Sequence, residues 1–173
     1  MKSRNFTSSE ICIMAIFVAC GLVLQYIESY IAITSVPGGK IGLANIVSII
    51  NIFMFGGWNA LIISIIRAFL GALLSGGMSA VLYSVAGAFL STLVMWGCKK
   101  FFYPKVSMIG MGILGAVFHN IAQCCVAAIM FSSVYVFSYL PFLVLFALIS
   151  GAITGYSAQL IDRRFLDSYW RQK

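Results

Sequence analysis

Long apolar runs, separated by short polar stretches, fill most of this chain. Of its 173 residues, 62% are hydrophobic and 9% are charged, whereas soluble domains are about 45–50% apolar and about 25% charged. So short a chain cannot bury that much apolar surface within itself, so we expect its solvent to be lipid. Lipid allows only helices or closed barrels, and these runs are too long and too unalternating for barrel strands. The sequence therefore predicts an all-α bundle of transmembrane helices, as a single domain over residues 1–173.

Six membrane spans are predicted from runs close to the roughly 20 residues that a helix needs to cross a bilayer. They cover about residues 11–33, 41–55, 60–74, 80–98, 106–131 and 140–161. The second and third are short, at about 15 residues or roughly 22 Å. A second interpretation joins them into one long helix over residues 43–74, with "GGWN" at 56–59 as a kink. The first span begins with "TSSE" at 7–10, which predicts a capping box.

The basic residues favour six spans over five, because such residues concentrate on the cytoplasmic side of membrane proteins. With six spans both termini are cytoplasmic, and so are Lys2, Arg4, Lys99, Lys100, Lys105, Arg163, Arg164, Arg171 and Lys173. Five spans would move the basic tail outside. The net charge of +7 then suits the anionic inner leaflet of a cell membrane. Because these cations flank spans and do not line a face, we expect no nucleic-acid partner, and we interpret the N-terminal segment as an uncleaved first helix.

Several kinds of chemistry are disfavoured by the sequence. Lys40 follows Gly39 but precedes Ile41, so no phosphate loop is present. The carboxylates are too few and too scattered for magnesium-dependent diphosphate chemistry. His119 is the single histidine, and the five cysteines lie in apolar runs without metal-ligand spacing, so we interpret them as buried small hydrophobic residues. We expect no catalytic residues, no cofactor and no metal site.

Arg67 is the polar residue within a span that most strongly suggests a function. A charge near the middle of a span costs about 2.5–3.5 kcal/mol on insertion scales. Its helix face carries small or polar residues at helical spacing, namely Ala60, Ser64, Gly71 and Ser75. Arg67 is therefore predicted to face the bundle interior. Two interpretations stay open: it binds an anionic group of a ligand, or it is structural, paired with Glu28 or hydrogen-bonded to carbonyl groups.

Other spans also carry polar residues. His119 and Gln123 are four residues apart and share one face of the fifth span, while Asn120 lies about 100° round the helix. In the second span an arc of about 120° holds Asn45, Ser48 and Asn51. We predict that His119 and Gln123 line a pocket in the outer half of the membrane; the alternative is that they are satisfied structural groups. Asn120, Asn45 and Glu28 of the first span are further predicted substrate-binding residues. The small residues of the sixth span, from Ser150 to Ala158, are interpreted as packing.

The first span presents two different faces. Ala15 and Ala19 form a smooth small-residue face, while Gly21, Gln25 and Glu28 lie on the opposite side. We expect the polar face to turn inward. The smooth face is then available for another membrane protein, although packing within the same bundle is an alternative.

The segments "PGGKIGLAN" at 37–45, "RAFLGALLSG" at 67–76 and "FHNIAQ" at 118–123 resemble the Gx transporter family, which is also labelled heptaprenyl diphosphate synthase component I. The six short spans and the AxxxA step of the first span resemble the substrate-binding S components of energy-coupling factor (ECF) transporters. The resemblance covers about residues 10–162.

The resemblance implies a membrane subunit that captures a small molecule from outside and delivers it through a transmembrane coupling protein and two ATPases. Ala15 and Ala19 would contact the coupling protein. The pocket would lie under the outer loops at about 34–42, 75–79 and 132–139. Lys40 and Asn45 would then form its rim and wall. Together with Arg67 and His119, Lys40 favours an anionic ligand.

Two alternatives differ in mechanism. The family label suggests a non-catalytic membrane subunit associated with prenyl diphosphate or quinone biosynthesis. A self-sufficient carrier or channel would instead move its substrate without ATPases. Mass spectrometry of co-purifying molecules discriminates among these three.

Overall fold

The structure, a computed structural model, describes residues 7–30, 42–75 and 77–162. These residues form helices and turns and contain no strand, which confirms the all-α prediction. In chain order the helices are α1 (Ser8–Tyr30), α2 (Asn45–Phe55), α3 (Gly57–Ser75), α4 (Gly77–Phe102), α5 (Met108–Met130) and α6 (Leu140–Ile161), with a 3-10 helix at Val134–Tyr139 before α6.

Five of these helices are long and apolar enough to cross a membrane. The exception is α2, whose 11 residues rise about 16 Å and so do not cross a hydrocarbon core of about 30 Å alone. The chain is therefore a multi-pass membrane protein. Six crossings, and cytoplasmic termini, stay predictions.

Gly56 separates α2 from α3. It has a positive φ of 82°, a conformation that favours glycine, and helix α3 begins at the next residue. The hydroxyl oxygens of Ser48 and Ser64 lie 2.9 Å apart. Because both serines lie the same distance along the chain from Gly56, the two helices run antiparallel as a hairpin. The interpretation of residues 43–74 as one long helix is therefore wrong.

Helix α2 lies at the centre of the bundle. It packs against α1, α3, α4, α5 and α6, and its side chains are buried on nearly every side. A helix that is apolar on all faces is expected to be surrounded by protein. The half of α2 nearer Gly56 packs into an apolar layer that includes Ile49, Ile52, Met95 and Met111. Two of the buried polar residues of α2, Asn45 and Ser48, lie toward the opposite end, whereas Asn51 is fully buried in the half nearer Gly56 and its side chain has no hydrogen-bond partner among the described residues.

The predicted boundaries hold closely at several helix ends. The capping box is confirmed at α1, where the Thr7 N–H donates to Glu10 and the Glu10 N–H donates to the Thr7 hydroxyl. The bounds predicted for the sixth span are those of α6. The spans predicted at 80–98 and 106–131 leave residues 99–105 as a loop, and this is partly wrong, because α4 continues to Phe102. Its Lys99 ammonium donates to the Ile52 carbonyl at 2.9 Å and so satisfies a carbonyl in the last turn of α2.

Helices α5 and α6 approach each other backbone to backbone. A Cβ atom added at Gly151 would lie 2.6 Å from the Ile113 Cα atom, and one added at Gly155 would lie 2.6 Å from the Ile109 Cα atom. On the facing helix, a Cβ atom at Gly112 would lie 2.3 Å from the Gly151 carbonyl oxygen. The interpretation of the small residues in the sixth span as packing is confirmed.

The cysteines divide into two groups. Cys98 and Cys124 are buried, as predicted, whereas Cys12, Cys20 and Cys125 lie on exposed helix faces. The prediction of burial is wrong for these three, because an apolar run does not reveal which helix faces contact lipid. All five are free thiols.

Candidate ligand-binding site

A small polar cavity lies at the end of the bundle that is opposite Gly56. Its volume is about 10 Å³, roughly the minimum that holds one water molecule. Five helices or their adjoining turns contribute to its lining, which consists of Gln25, Glu28, Gly42, Ala44, Asn45, Arg67, Ser84 and His119. In an otherwise apolar bundle, such a collection of polar side chains indicates a functional site.

Arg67 is the charged centre of this cavity and is only 2% exposed. Its side chain passes over Gly21 of α1, where an added Cβ atom would lie 2.3 Å from the Arg67 Cδ atom. One terminal nitrogen, Nη1, donates to the Gln25 Oε1 atom at 3.0 Å. Its Nε atom is buried without a hydrogen-bond acceptor among the described residues. The prediction that Arg67 faces the bundle interior is confirmed.

Gln25 connects three helices. Its Oε1 atom accepts from Arg67 of α3, and its Nε2 atom donates to the Ser84 hydroxyl of α4 at 3.3 Å. Its carboxamide lies against Gly71, where an added Cβ atom would be 2.5 Å from the Gln25 Cδ atom. The polar face of α1 therefore turns inward, as expected.

Glu28 lines the same cavity and is 4% exposed. Its carboxylate accepts a hydrogen bond from the Gly42 N–H and attracts the Arg67 guanidinium electrostatically. Among the described residues, Arg67 donates its hydrogen bond to the neutral side chain of Gln25. The role suggested for Glu28, pairing with Arg67, is therefore shared between Glu28 and Gln25. Glu28 also holds the chain that enters α2 against the end of α1.

Asn45 begins α2 and is 1% exposed. Its Oδ1 atom accepts from the Ser91 hydroxyl of α4 at 3.4 Å, while its Nδ2 atom has no acceptor among the described residues. Two buried donors of the cavity, Arg67 Nε and Asn45 Nδ2, thus lack an acceptor. Because an unmade buried hydrogen bond costs about 1–3 kcal/mol, this pair of donors favours a ligand that brings acceptor atoms.

The three polar residues of α5 that were predicted to bind substrate have different surroundings in the structure. His119 lines the cavity and lies against Gly87, where an added Cβ atom would be 2.6 Å from its Cε1 atom. Gln123 is buried one turn further along, its Nε2 atom lacks an acceptor among the described residues, and it is not part of the lining. Asn120 donates from Nδ2 to the Leu143 carbonyl of α6 at 3.0 Å, a contact that favours a packing role.

Two further predictions lie elsewhere. Ala15 and Ala19 are exposed on the outer face of α1, so their role as a partner contact stays a prediction. Lys40 lies outside the described residues. No group of three or more potential metal ligands occurs in the described part of the chain.

Sequence reasoning missed the contribution of α4. Ser84 and Gly87 meet Gln25 and His119, and Ser91 meets Asn45. Their spacing of three and four residues places small and polar residues on one face. That periodicity is the signal that could have found them.

The fit between Gly87 and His119 gives a testable prediction. Gly87→Val should push the imidazole out of the cavity and lower the free energy of unfolding by about 1–3 kcal/mol. The matched control is Gly97→Val on the same helix, where an added Cβ atom meets nothing within 4 Å. Thermal unfolding of both variants in detergent measures the difference. Equal stability of the two variants would show that His119 is not held by this contact.

Comparison with known proteins identifies the family. The family described as heptaprenyl diphosphate synthase component I matches residues 17–161, which include all of the described cavity residues. No curated protein and no solved structure matches the chain. The protein is therefore a multi-pass membrane protein that belongs to the heptaprenyl diphosphate synthase component I family.

Proposed function

We propose that this protein is the substrate-binding S component of an ECF-type transporter in the bacterial cell membrane. It captures a small anionic molecule, such as a vitamin or a cofactor precursor, from the outer side for ATP-driven uptake. The observation that carries this proposal is the polar cavity around the buried Arg67. Its lining brings together a few convergent polar groups of the sort that orient a ligand, and Arg67 supplies the charge that attracts an anion.

The position of the cavity supports uptake from outside. Glu28 lies near the end of α1, Asn45 lies at the start of α2, and Ser84 lies within two turns of the start of α4. With both termini in the cytoplasm, as the basic residues predict, these positions belong to the outer half of the membrane. Lys40 would lie in the loop above them.

Helix α1 supports an external membrane partner. Within the described residues it packs against α2 and α3, and its other face exposes Ala15, Ile16 and Ala19. Small residues allow close helix approach in lipid. We propose that this face contacts a transmembrane coupling protein, which in turn engages two ATPases.

The partner proposal is tested by affinity purification of the tagged full-length chain from its native membranes. A coupling protein and two ATPases are expected to co-purify. Ala15→Trp and Ala19→Trp should each reduce their recovery about tenfold or more, equivalent to about 1.4 kcal/mol of association free energy, because a bulky side chain prevents helix approach. Cys125→Trp, which enlarges a small exposed residue on α5, is the matched control and should leave recovery unchanged. Absence of the coupling module from the wild-type preparation would overturn the proposal.

A second candidate function follows the family description. An apolar groove of about 550 Å³ lies among α3, α4 and α5, and its lining includes Phe69, Leu82, Phe89 and Met130. Its chemistry suits a hydrocarbon chain, which favours a non-catalytic subunit that assists a prenyl diphosphate synthase. The same purification discriminates between the two candidates, because this one predicts recovery of a soluble synthase in place of the ATPases.

A further inference from the structure

The Gln25 carboxamide has the shape and contacts of a bound ligand group. Its oxygen accepts from Arg67 Nη1 at 3.0 Å, and its nitrogen lies 3.3 Å from the Ser84 hydroxyl. A carboxylate has the same planar shape with two acceptor oxygens. Because a hydroxyl can donate as well as accept, Ser84 would donate to the second oxygen of a carboxylate at this position.

The Arg67 guanidinium would also bind such a carboxylate more strongly than it binds the amide. Its Nη1 atom now bonds the oxygen of a neutral amide, and a carboxylate oxygen there would add the attraction of opposite charges. The Nε–H group, which has no acceptor among the described residues, lies on the other side of the guanidinium from Nη1 and is open to a second acceptor group of the same ligand. The Asn45 Nδ2 atom adds another donor to the same cavity, and it too has no acceptor within residues 7–30, 42–75 and 77–162.

The cavity has no room for such a ligand while Gln25 remains in place. Its volume of about 10 Å³ is far below that of ligand pockets, which measure about 300–1,000 Å³. The Gln25 carboxamide fills the space that a Cβ atom would take at Gly71, and the Arg67 side chain around Cδ does so at Gly21. An incoming carboxylate must therefore displace Gln25.

We propose that Gln25 is an internal occupant of the carboxylate subsite, and that the substrate is a carboxylic acid whose carboxylate replaces the Gln25 carboxamide between Arg67 and Ser84. This inference rests on the proposed function, because it assigns the substrate class of the same cavity. Gln25 thereby keeps a buried guanidinium paired between binding events. It also sets specificity, because only a ligand that satisfies Arg67 better than an amide displaces it.

The experiment is chemical rescue of Gln25→Ala in the full-length protein, with acetate as the probe. Truncation leaves a space of carboxamide size beside Arg67. With about 100 mM acetate and a Kd of about 10 mM, mass action predicts a rise in Tm of about 3–6 °C over chloride at the same ionic strength. The wild-type protein should show no such rise because Gln25 occupies the subsite. Acetamide should give a clearly smaller rise, since it brings only one acceptor oxygen.

Asn120→Ala is the matched control. It truncates another buried amide, but one that contacts a carbonyl group, so acetate should not stabilise it. The proposal is overturned if acetate stabilises Gln25→Ala no more than this control, or if acetamide matches acetate. Should Gln25→Ala fail to fold, Gln25→Ser replaces it in the same comparison of acetate, acetamide and chloride, and equal stabilisation of this variant and of Asn120→Ala by acetate overturns the proposal.

The acetate experiment and the purification that tests transport can each fail without the other. Acetate rescue is measured on the chain alone, without a coupling protein. Rescue without recovery of a coupling module would overturn the uptake role and keep the carboxylate subsite, whereas recovery of the module without rescue would do the reverse.

Discussion

Arg67→Ala is expected to abolish binding of the small molecule that purifies with the wild-type protein. Truncating one partner of a buried, hydrogen-bonded charge pair costs about 2–5 kcal/mol or more, which corresponds to a loss of affinity of about 30-fold or more. The substitution removes the buried cation of the cavity and its Nε donor, which has no acceptor in the part of the chain that the structure describes. Equilibrium titration of the purified variant with the molecule extracted from wild-type protein measures the effect.

Two further variants separate a ligand contact from a structural role. Arg67→Lys keeps the charge but loses the paired N–H donors, so it should retain only weak binding. Thr154→Val is the matched control, because it removes a buried hydroxyl that bonds within α6, away from the cavity. If Arg67→Ala binds as tightly as Thr154→Val, the arginine is structural and the ligand lies elsewhere.

The contact between α5 and α6 gives the largest expected effect on stability. Gly151→Leu and Gly155→Leu should each lower the free energy of unfolding by about 3 kcal/mol or more. The added side chains would meet backbone atoms, at Ile113 and Ile109 respectively, and backbone cannot move aside as a flexible side chain can. Separation of the helices would then remove packing along their whole contact.

Gly97→Leu on α4 is the control for this prediction, since nothing lies within 4 Å of an added Cβ atom there. Thermal unfolding in detergent should place its Tm near that of the wild type and well above those of the two α6 variants. Wild-type stability of Gly151→Leu would mean that α5 and α6 do not pack as closely as described.

Local signals in the sequence predicted the parts of the fold that depend on local physics. The apolar run of α6 and the capping box at Thr7 and Glu10 needed no knowledge of neighbouring helices. The start of α2 at Asn45 is different. Residues 42–44 precede the helix as a turn, and Glu28 of another helix accepts the Gly42 N–H, so a tertiary contact shapes this entry.

The candidate site was predictable in its residue types but not in its pairings. Helical periodicity correctly predicted that Arg67 and the polar face of α1 point inward, because a charge within a membrane span needs polar partners. It did not distinguish Gln25 from Glu28 as the hydrogen-bond acceptor of Arg67, since the two lie on one helix face. The contact of Asn120 with Leu143 could not be predicted either. It depends on where α6 lies, and the sequence of α5 does not contain that information.

Native mass spectrometry of the full-length wild-type protein, purified from its native membranes, tests the central claim most directly. We predict one small carboxylate-bearing molecule per chain, held without a covalent bond and absent from Arg67→Ala prepared in the same way. A wild-type chain that carries no such molecule, or one that carries a prenyl diphosphate equally in both preparations, would contradict a substrate-binding cavity around Arg67.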